Sequence, residues 1–159
     1  HTFISIANND PAADYPAALL ALGATIKTNT RSLSAEDFFT GLFETALDEG
    51  EMVTAVEFTA PEKSGYSKFR NPASRYAMTG VFVCKHGDGS VGVGVAGAGS
   101  DGAFRSSEME TALAGDFTSA ALETISIDSS DLMSDMHASA EYRANLIKVM
   151  GKRAVQQAE

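Results

Sequence analysis

The sequence is poor in the residues that build metal centres and covalent cross-links. Its 159 residues include one cysteine, Cys84, three histidines and no tryptophan. One thiol cannot form an internal disulfide, nor can it alone ligate an iron–sulfur cluster or a structural zinc. We therefore expect Cys84 to be a small buried hydrophobic residue on a strand, and its free thiol is typical of a reducing, cytoplasmic compartment.

Positive charge is scarce as well. Twelve Lys and Arg stand against 21 Asp and Glu, which gives a formal net charge of −9. An acidic surface repels nucleic-acid phosphates and anionic lipids, so neither is expected as a partner. No apolar run approaches the roughly 20 residues of a membrane-spanning helix, so no membrane insertion is expected.

The histidines and acids that could bind a metal do not form a ligating pattern. His86 and His137 are isolated, and no zinc-protease, dithiol or serine-hydrolase motif occurs. Asp128, Asp131 and Asp135 stand in a serine-rich segment, without the glycine and closing glutamate of a calcium-binding loop. We predict a solvated acidic loop there and no metal site.

Alternating apolar residues dominate the middle of the chain. The runs 78–85 and 91–98 flank His86-Gly87-Asp88-Gly89. An Asp-Gly pair between two alternating runs is a strong signature of a β-hairpin. With 44% hydrophobic residues and helical patterns elsewhere, the chain is predicted to be an α+β globular protein.

The second run contains a possible dinucleotide-binding motif. Residues 92–97 read G-x-G-x-x-G, which binds a pyrophosphate only where a helix begins at the third glycine. A breaker-rich segment, 98–102, follows instead. Gly92 and Gly94 alternate with valines inside a predicted strand, so we predict a strand face on which a helix or another backbone packs closely, and no NAD site.

Two features define the predicted first part of the chain. Asp10 is expected as the N-cap of a helix and Pro11 as its first residue. Alternation over 52–58 predicts a strand, and the polar segment 62–65 (EKSG) after it predicts a connection between two domains.

The end of the chain is predicted to be a helix from about Ser139 to Gln157. Lysines and an arginine near its end suit the helix dipole. Its apolar stripe is predicted to consist of residues at helical spacing, namely Tyr142, Leu146, Val149, Met150 and Arg153.

The stretch ISIANNDPAAD is the strongest candidate for a polar ligand site. It places Ser5, Asn9 and Asp14 close together in front of a predicted helix. A helix N-terminus with such neighbours can bind a phosphate or ribose hydroxyls. The same residue types also cap helices, so the residues alone leave both interpretations open.

Five segments form an ordered set over essentially the whole chain. They are SIANNDPAADYPAALLALGA, EDFFTGLFETALDEGEMVTAVEF, YSKFRNPASRYAMTGVFV, AGAGSDGAFRSSEMETAL and HASAEYRANLIKVMGKRA. In this order they resemble the FAD-binding (medium) subunit of the molybdenum hydroxylases. That family includes xanthine dehydrogenase and aerobic carbon monoxide dehydrogenase.

The resemblance implies a chain in two parts. Residues 1–61 would be the later part of a PCMH-type FAD-binding domain whose first half is absent. Residues 62–159 would be a C-terminal domain, a three-stranded antiparallel sheet packed on a helical bundle. The start at His1 rather than Met agrees with a piece of a longer chain.

The resemblance also implies an oxidoreductase subunit, inactive as this segment alone. FAD would take electrons from 2Fe–2S clusters on a small subunit, which receive them from a molybdopterin centre on a large subunit, and would pass them to an external acceptor. The single cysteine agrees, because this chain cannot hold the clusters. The alternative is a non-catalytic module that docks partner subunits and binds no flavin in this form.

Site residues follow from the same resemblance. Ser5 matches a position at the cofactor phosphates and Asp14 a carboxylate that contacts the flavin nucleotide, with Asn9 in the same segment. Val53, and either Arg70 or Lys68, match positions that pack against or polarise the isoalloxazine ring.

The chain departs from the family pattern at two positions. Phe3 and Ile4 replace two glycines of the family's second flavin motif. Glycine at such positions lets the backbone approach the cofactor without a Cβ in the way. The resemblance therefore predicts weak FAD binding by this chain.

Overall fold

The computed structural model describes residues 1–158. Its first part contains three short helices, α1 (Thr2–Asn8), α2 (Tyr15–Ala21) and α3 (Ala35–Phe38), and five strands. The strands are β1 (Thr25–Thr28), β2 (Ser32–Ser34), β3 (Phe39–Gly41), β4 (Glu44–Thr45) and β5 (Val53–Glu57). They form an antiparallel sheet in the order β2-β1-β5 and a small β3-β4 hairpin.

A compact apolar core joins these elements. Ile6 of α1, Ile26 of β1 and Phe38 of α3 are almost completely buried in it, with Val53 of β5 at its edge. The α3 helix begins as its sequence indicates, because the Ser34 side chain accepts a hydrogen bond from the Asp37 N–H.

The second part is built on one antiparallel sheet. Its strands are β6 (Lys63–Arg70), β7 (Ala77–Lys85), β8 (Val91–Ala96) and β9 (Phe104–Arg105), in the order β6-β7-β8-β9. The predicted hairpin is confirmed as β7-β8, with Val83 opposite Val93. The predicted three-stranded sheet is confirmed too, and the two-residue strand β9 extends it.

Helix α2 lies on one face of this sheet. Gly92 and Gly94 of β8 face it, and an added Cβ at these positions would overlap the carbonyl oxygens of Ala21 and Ala17. No helix begins at Gly97, where the backbone instead adopts a positive φ of 80°. The glycines therefore permit close packing of α2 on the sheet, as the sequence predicts, and do not form a dinucleotide-binding loop.

The other face of the sheet carries the remaining helices, α4 (Ser107–Gly115), a 3-10 turn (Ser119–Leu122) and α5 (Ala140–Gln157). Together with the valines of β7 and β8 they enclose the larger apolar core. Cys84 of β7 is fully buried, and burial raises the pKa of its thiol. Among residues 1–158, no helix has both the length and the apolar character needed to cross a bilayer.

The predicted buried stripe of α5 is only partly right. Leu146 and Met150 are buried, but Tyr142 and Arg153 are exposed. The helix backbone lies very close to β6 on this side, because an added Cβ at Gly65 of β6 would overlap the carbonyl oxygen of Ala154. Close approach of the two backbones therefore rotates α5, and its buried residues are Arg143, Leu146, Ile147, Met150, Gly151, Ala154 and Val155.

The predicted start of the first long helix is wrong. The Asp10 carboxylate accepts a hydrogen bond from the Ala12 N–H at 2.9 Å and closes a local turn, so it does not cap a helix. Helix α2 begins only at Tyr15, after Asp14. The preceding segment, 2–8, forms the separate helix α1, because Ile6 is buried in the core.

The expected connection at 62–65 is also wrong in its local structure. Strand β6 already begins at Lys63, where it pairs with Lys85 of β7. The segment that joins the two sheets is 58–62. A division of the chain near residue 61 stays a prediction.

A buried carboxylate fixes the turn between β1 and β2. The Glu51 side chain is 2% exposed and accepts hydrogen bonds from Arg31, Thr28, Thr30 and the Asp48 N–H, at 2.7 to 3.0 Å. These contacts, that of Arg31 above all, hold the pKa of the Glu51 carboxyl far below its usual range. The carboxylate therefore stabilises the fold only while it is charged.

We expect Gly94→Val to lower the melting temperature, because its side chain would displace α2 from the sheet. Overpacking of this kind costs about 1–3 kcal/mol. Gly87→Val is the matched control, since a Cβ at this turn position meets no neighbour within 4 Å. NAD titration should show no binding to either variant or to the wild type. An unchanged melting temperature, together with NAD binding that Gly94→Val abolishes, would contradict this interpretation.

We expect Glu51→Gln to lower the melting temperature at neutral pH. A depressed carboxyl pKa contributes stability above the unfolded-state value of about 4.3, and this contribution disappears as the pH falls below it. The difference in melting temperature between Glu51→Gln and the wild type should therefore be constant from about pH 7 to 5 and should become smaller below about pH 4. The exposed Glu49, as Glu49→Gln, is the control. A difference independent of pH would show that the charge of Glu51 contributes nothing.

Candidate functional site

Asp14 occupies the N-cap position of α2 without capping the helix. Aspartate is among the best capping residues, yet its side chain makes no hydrogen bond to the first turn of α2. The carboxylate instead reaches strand β6. Its oxygens accept hydrogen bonds from the Lys68 ammonium at 3.0 and 3.1 Å and from the Tyr66 hydroxyl. Asp14 does not cap its own helix and instead contacts a residue 54 positions away, which indicates a candidate functional site.

The geometry of β6 brings these two partners to one face. Side chains alternate along a strand, so Tyr66 and Lys68 point to the same side of the sheet, which is the side that carries α2. Gly80 of β7 lies opposite Lys68, and an added Cβ there would collide with the Tyr66 ring. The missing side chain of Gly80 therefore provides the space in which Tyr66 reaches Asp14.

The cluster of Asp14, Tyr66 and Lys68 is partly open to solvent. The Asp14 side chain is 46% exposed and that of Lys68 19% exposed. Burial raises the pKa of the Tyr66 phenol, and its hydrogen bond to Asp14 raises it further, whereas the charge of Arg70 acts in the opposite direction. Tyr66 therefore remains a protonated donor, and the exposed part of the carboxylate can accept hydrogen bonds from a ligand.

Of the predicted site residues, the structure brings Asp14 and Lys68 into contact. Arg70 lies at the exposed end of β6, beyond an irregularity in the β6-β7 register at Phe69. Among the described residues it makes no ion pair or side-chain hydrogen bond. It is the free positive charge beside the cluster.

The other predicted residues lie elsewhere. Ser5 is half-buried in the middle of α1, and Val53 belongs to the core of the first part. Asn9 is buried, and its backbone is in the left-handed conformation. Its side-chain amide donates hydrogen bonds to the carbonyl oxygens of Gly41 and Glu44 at 2.8 and 3.0 Å. Its side chain thus holds the β3-β4 hairpin, although its side-chain oxygen, Oδ1, is buried and has no hydrogen-bond partner among residues 1–158.

Sequence reasoning missed Tyr66 and Gly80. The alternation of Tyr66 and Lys68 in a strand next to a glycine-bearing strand is a usable signal, but only once the β6-β7 register is known. The acidic loop also needs a correction, because Asp135 is not a simply solvated residue. It forms a bidentate ion pair with Arg143 at 3.1 Å. No cluster of metal-binding side chains occurs among residues 1–158.

Several known proteins are similar to this chain in sequence and in fold. Residues 5–61 match the model of the FAD binding domain in molybdopterin dehydrogenase. The glyceraldehyde dehydrogenase medium chain of Sulfolobus acidocaldarius is 34% identical over 94% of this chain and 58% of its own length. The nicotine 6-hydroxylase medium subunit of Paenarthrobacter nicotinovorans is 30% identical over 97% of this chain and 59% of its own length.

A solved structure shows the same fold. The carbon monoxide dehydrogenase of Oligotropha carboxidovorans contains a chain with a TM-score of 0.77 and 28% identity. The match covers 96% of this chain and 58% of that one. This chain is similar to the FAD-binding medium subunits of the molybdenum hydroxylases. It spans just under three fifths of the length of the relatives that it matches.

The residues of this chain fit part of a flavin nucleotide. The half-exposed Asp14 carboxylate, held by Lys68, can accept hydrogen bonds from hydroxyl or N–H groups, and Arg70 can place a positive charge near the ring. The first turn of α1 does not fit a phosphate cradle. Phe3 and Ile4, 44% and 72% exposed, carry side chains at the two glycine positions.

Proposed function

We propose that this chain is the greater part of the flavoprotein subunit of a molybdenum-containing hydroxylase or dehydrogenase. In the holoenzyme, electrons would pass from 2Fe–2S clusters on a small subunit through FAD to an external acceptor. Those clusters would be reduced by the molybdopterin centre of a large subunit. The proposal includes the cytoplasmic location that the free thiol of Cys84 suggests.

The contact of Asp14 with Lys68 and Tyr66 is the observation that carries this proposal. A carboxylate that does not cap its own helix has another use, and two donors from β6 hold it in one orientation. Ser5 and Val53 remain proposed cofactor contacts on the family resemblance alone, since Val53 is buried in the core of the first part. The division of the chain into residues 1–61 and 62–159 belongs to the same proposal.

FAD supplies the electron-accepting ring when it is bound. The part of this chain is to bind and orient it. Asp14 would accept hydrogen bonds from the nucleotide, and Lys68 and Tyr66 would prevent the carboxylate from turning back to the helix N-terminus. Arg70 would add positive charge near the ring, which favours its reduced, more negative form.

A second function is favoured by Phe3 and Ile4. Their exposed side chains replace the glycines that would approach the cofactor phosphates. The β3-β4 hairpin, which contacts α1, also exposes apolar side chains at its tip, Leu42 and Phe43. In this alternative the chain docks partner subunits and binds no flavin.

We expect Asp14→Ala to weaken FAD binding while the fold is kept. A lost charge-assisted hydrogen bond costs about 1.5–3 kcal/mol, or roughly 10- to 150-fold in affinity. FAD titration by fluorescence quenching, beside the melting temperature, measures both effects. Ser106→Ala provides the crossed control, because Ser106 does cap its helix, α4, and should lose stability but not affinity. Unchanged affinity in Asp14→Ala would contradict the assignment of Asp14.

We expect the wild-type chain to bind FAD more weakly than about 1 μM, which corresponds to about −8 kcal/mol. The double variant Phe3→Gly/Ile4→Gly should bind it more tightly, because removing both side chains permits close backbone approach. Leu42→Gly is the control for the loss of an exposed apolar side chain. Sub-micromolar binding by the wild type would contradict the first expectation, and no binding by either protein would favour the docking function.

A further inference from the structure

Arg143 of α5 is a buried charge with an unusual set of partners. Its side chain is 4% exposed, and one guanidinium nitrogen donates to the carbonyl oxygens of Met78 and Gly97, at 2.7 and 3.0 Å. The other forms the bidentate pair with Asp135. These carbonyls lie at the start of β7 and just beyond the end of β8, so Arg143 joins two strand ends to the helix behind the sheet.

Gly97 continues this chain of contacts to the candidate site. Its N–H donates to the carbonyl oxygen of Pro11 at 2.7 Å. Its φ of 80° and the nearby carbonyl oxygen of Ala77 exclude a side chain at this position. Pro11 begins the loop that ends at Asp14. The peptide groups on either side of the Gly97 Cα therefore link Arg143 to the loop that carries the Asp14 carboxylate.

One side of this loop is not packed against protein. Pro11 and Ala12 line an open pocket of about 250 Å³, whose walls also include Gly97, Asp135 and Arg143. Side chains provide no packing contacts on that side of the loop. The hydrogen bond from Gly97 therefore constrains the position of Pro11, together with the local turn that Asp10 closes.

Stability alone is a poor reason for this arrangement. Arg143 is buried but its partner Asp135 is 36% exposed, and burying a charge costs free energy that an ion pair only partly offsets. The Arg143 Nε is buried and has no partner among the described residues, which adds a desolvation cost. What the pair provides is a fixed geometry for the strand ends that it joins.

We propose that Arg143, held by Asp135, is a positioning residue for Asp14. It acts through Gly97 and Pro11, and it sets the place at which the Asp14 carboxylate meets Lys68 and Tyr66. The proposal rests on the proposed function for the use of Asp14, but the contact chain itself does not depend on flavin. The hydrogen bonds of Arg143 go to Met78, Gly97 and Asp135, and none goes to Asp14, Tyr66 or Lys68.

The test uses the 159-residue chain without flavin. In Arg143→Met, hydrogen exchange of the Gly97 amide should become about tenfold faster than in the wild type. The reason is that the hydrogen bond from this amide to the Pro11 carbonyl oxygen becomes weaker. Exchange across the rest of the β7-β8 ladder should change much less. The NMR shift of the Asp14 carboxyl carbon should move toward that of a solvated aspartate, because its contacts with Lys68 and Tyr66 weaken.

Lys148→Met is the matched control. Lys148 lies on the same helix and also donates to two carbonyl oxygens, those of Glu123 and Ile125, but it has no contact with Gly97. Its removal should leave Gly97 exchange and the Asp14 shift unchanged. Arg143→Lys covers the case in which Arg143→Met does not fold. It keeps the charge, but a single ammonium cannot reproduce the contacts that the two guanidinium nitrogens make with two carbonyl oxygens and the Asp135 carboxylate, so both signals should still change.

Three results would overturn the proposal. One is an unchanged Gly97 amide and Asp14 shift in folded Arg143→Met. Another is wild-type behaviour of both signals in Arg143→Lys. The third is a change of the Gly97 exchange rate and the Asp14 shift in Lys148→Met as large as in Arg143→Met. Such a result would show that any loss of a polar contact of α5 has this effect. If Asp14→Ala does not weaken FAD binding, the proposed function is contradicted. The role of Arg143 would not be contradicted by that result, because it is tested without flavin.

Discussion

The close approach of helix α2 to the four-stranded sheet is the contact on which the rest of the structure depends. Its carbonyl groups at Ala17 and Ala21 lie where the side chains of Gly94 and Gly92 would otherwise be. This contact joins an element of the first sheet region to the sheet of the second. It also holds the body of α2 on the sheet, while the loop that ends at Asp14 is held in addition by the hydrogen bond from Gly97 to Pro11.

Polar contacts add to the packing of α2 on the sheet. The start of α2 meets β6 through Asp14 and its two donors, Lys68 and Tyr66. Behind the sheet, Arg143 joins the strand ends to α5. The candidate site therefore lies where α2 and β6, two elements distant in sequence, meet on one face of the sheet, and α5 holds the strand ends from the other face.

The sequence predicted those features that depend on neighbouring residues. The β7-β8 hairpin followed from alternation around an Asp-Gly turn, and the role of Gly92 and Gly94 followed from their period. The helix start at Asp10 was wrong, because several capping residues compete within five positions and only tertiary contact selects among them. The buried face of α5 was wrong because backbone approach at Gly65 and Ala154, rather than side-chain size, sets its rotation.

The candidate site was predictable only in part. Asp14 and Lys68 came from family resemblance, and no pattern in the chain relates two residues 54 positions apart. Tyr66 needs the β6-β7 register before it can be related to Gly80. Arg143 was missed, since an arginine on an amphipathic helix normally indicates a solvent-facing position and its burial requires the carbonyl partners that folding brings to it.

The packing of α2 also restricts how the hairpin can vary among natural sequences. Side chains alternate along β8, so a slip of one position would place Val93 and Val95 beneath the carbonyls of α2. The turn at 86–90 can therefore exchange one residue type for another, but an insertion or deletion of a single residue there would shift the strand. Homologous chains that keep α2 on this sheet should conserve the length of the turn more strictly than its composition.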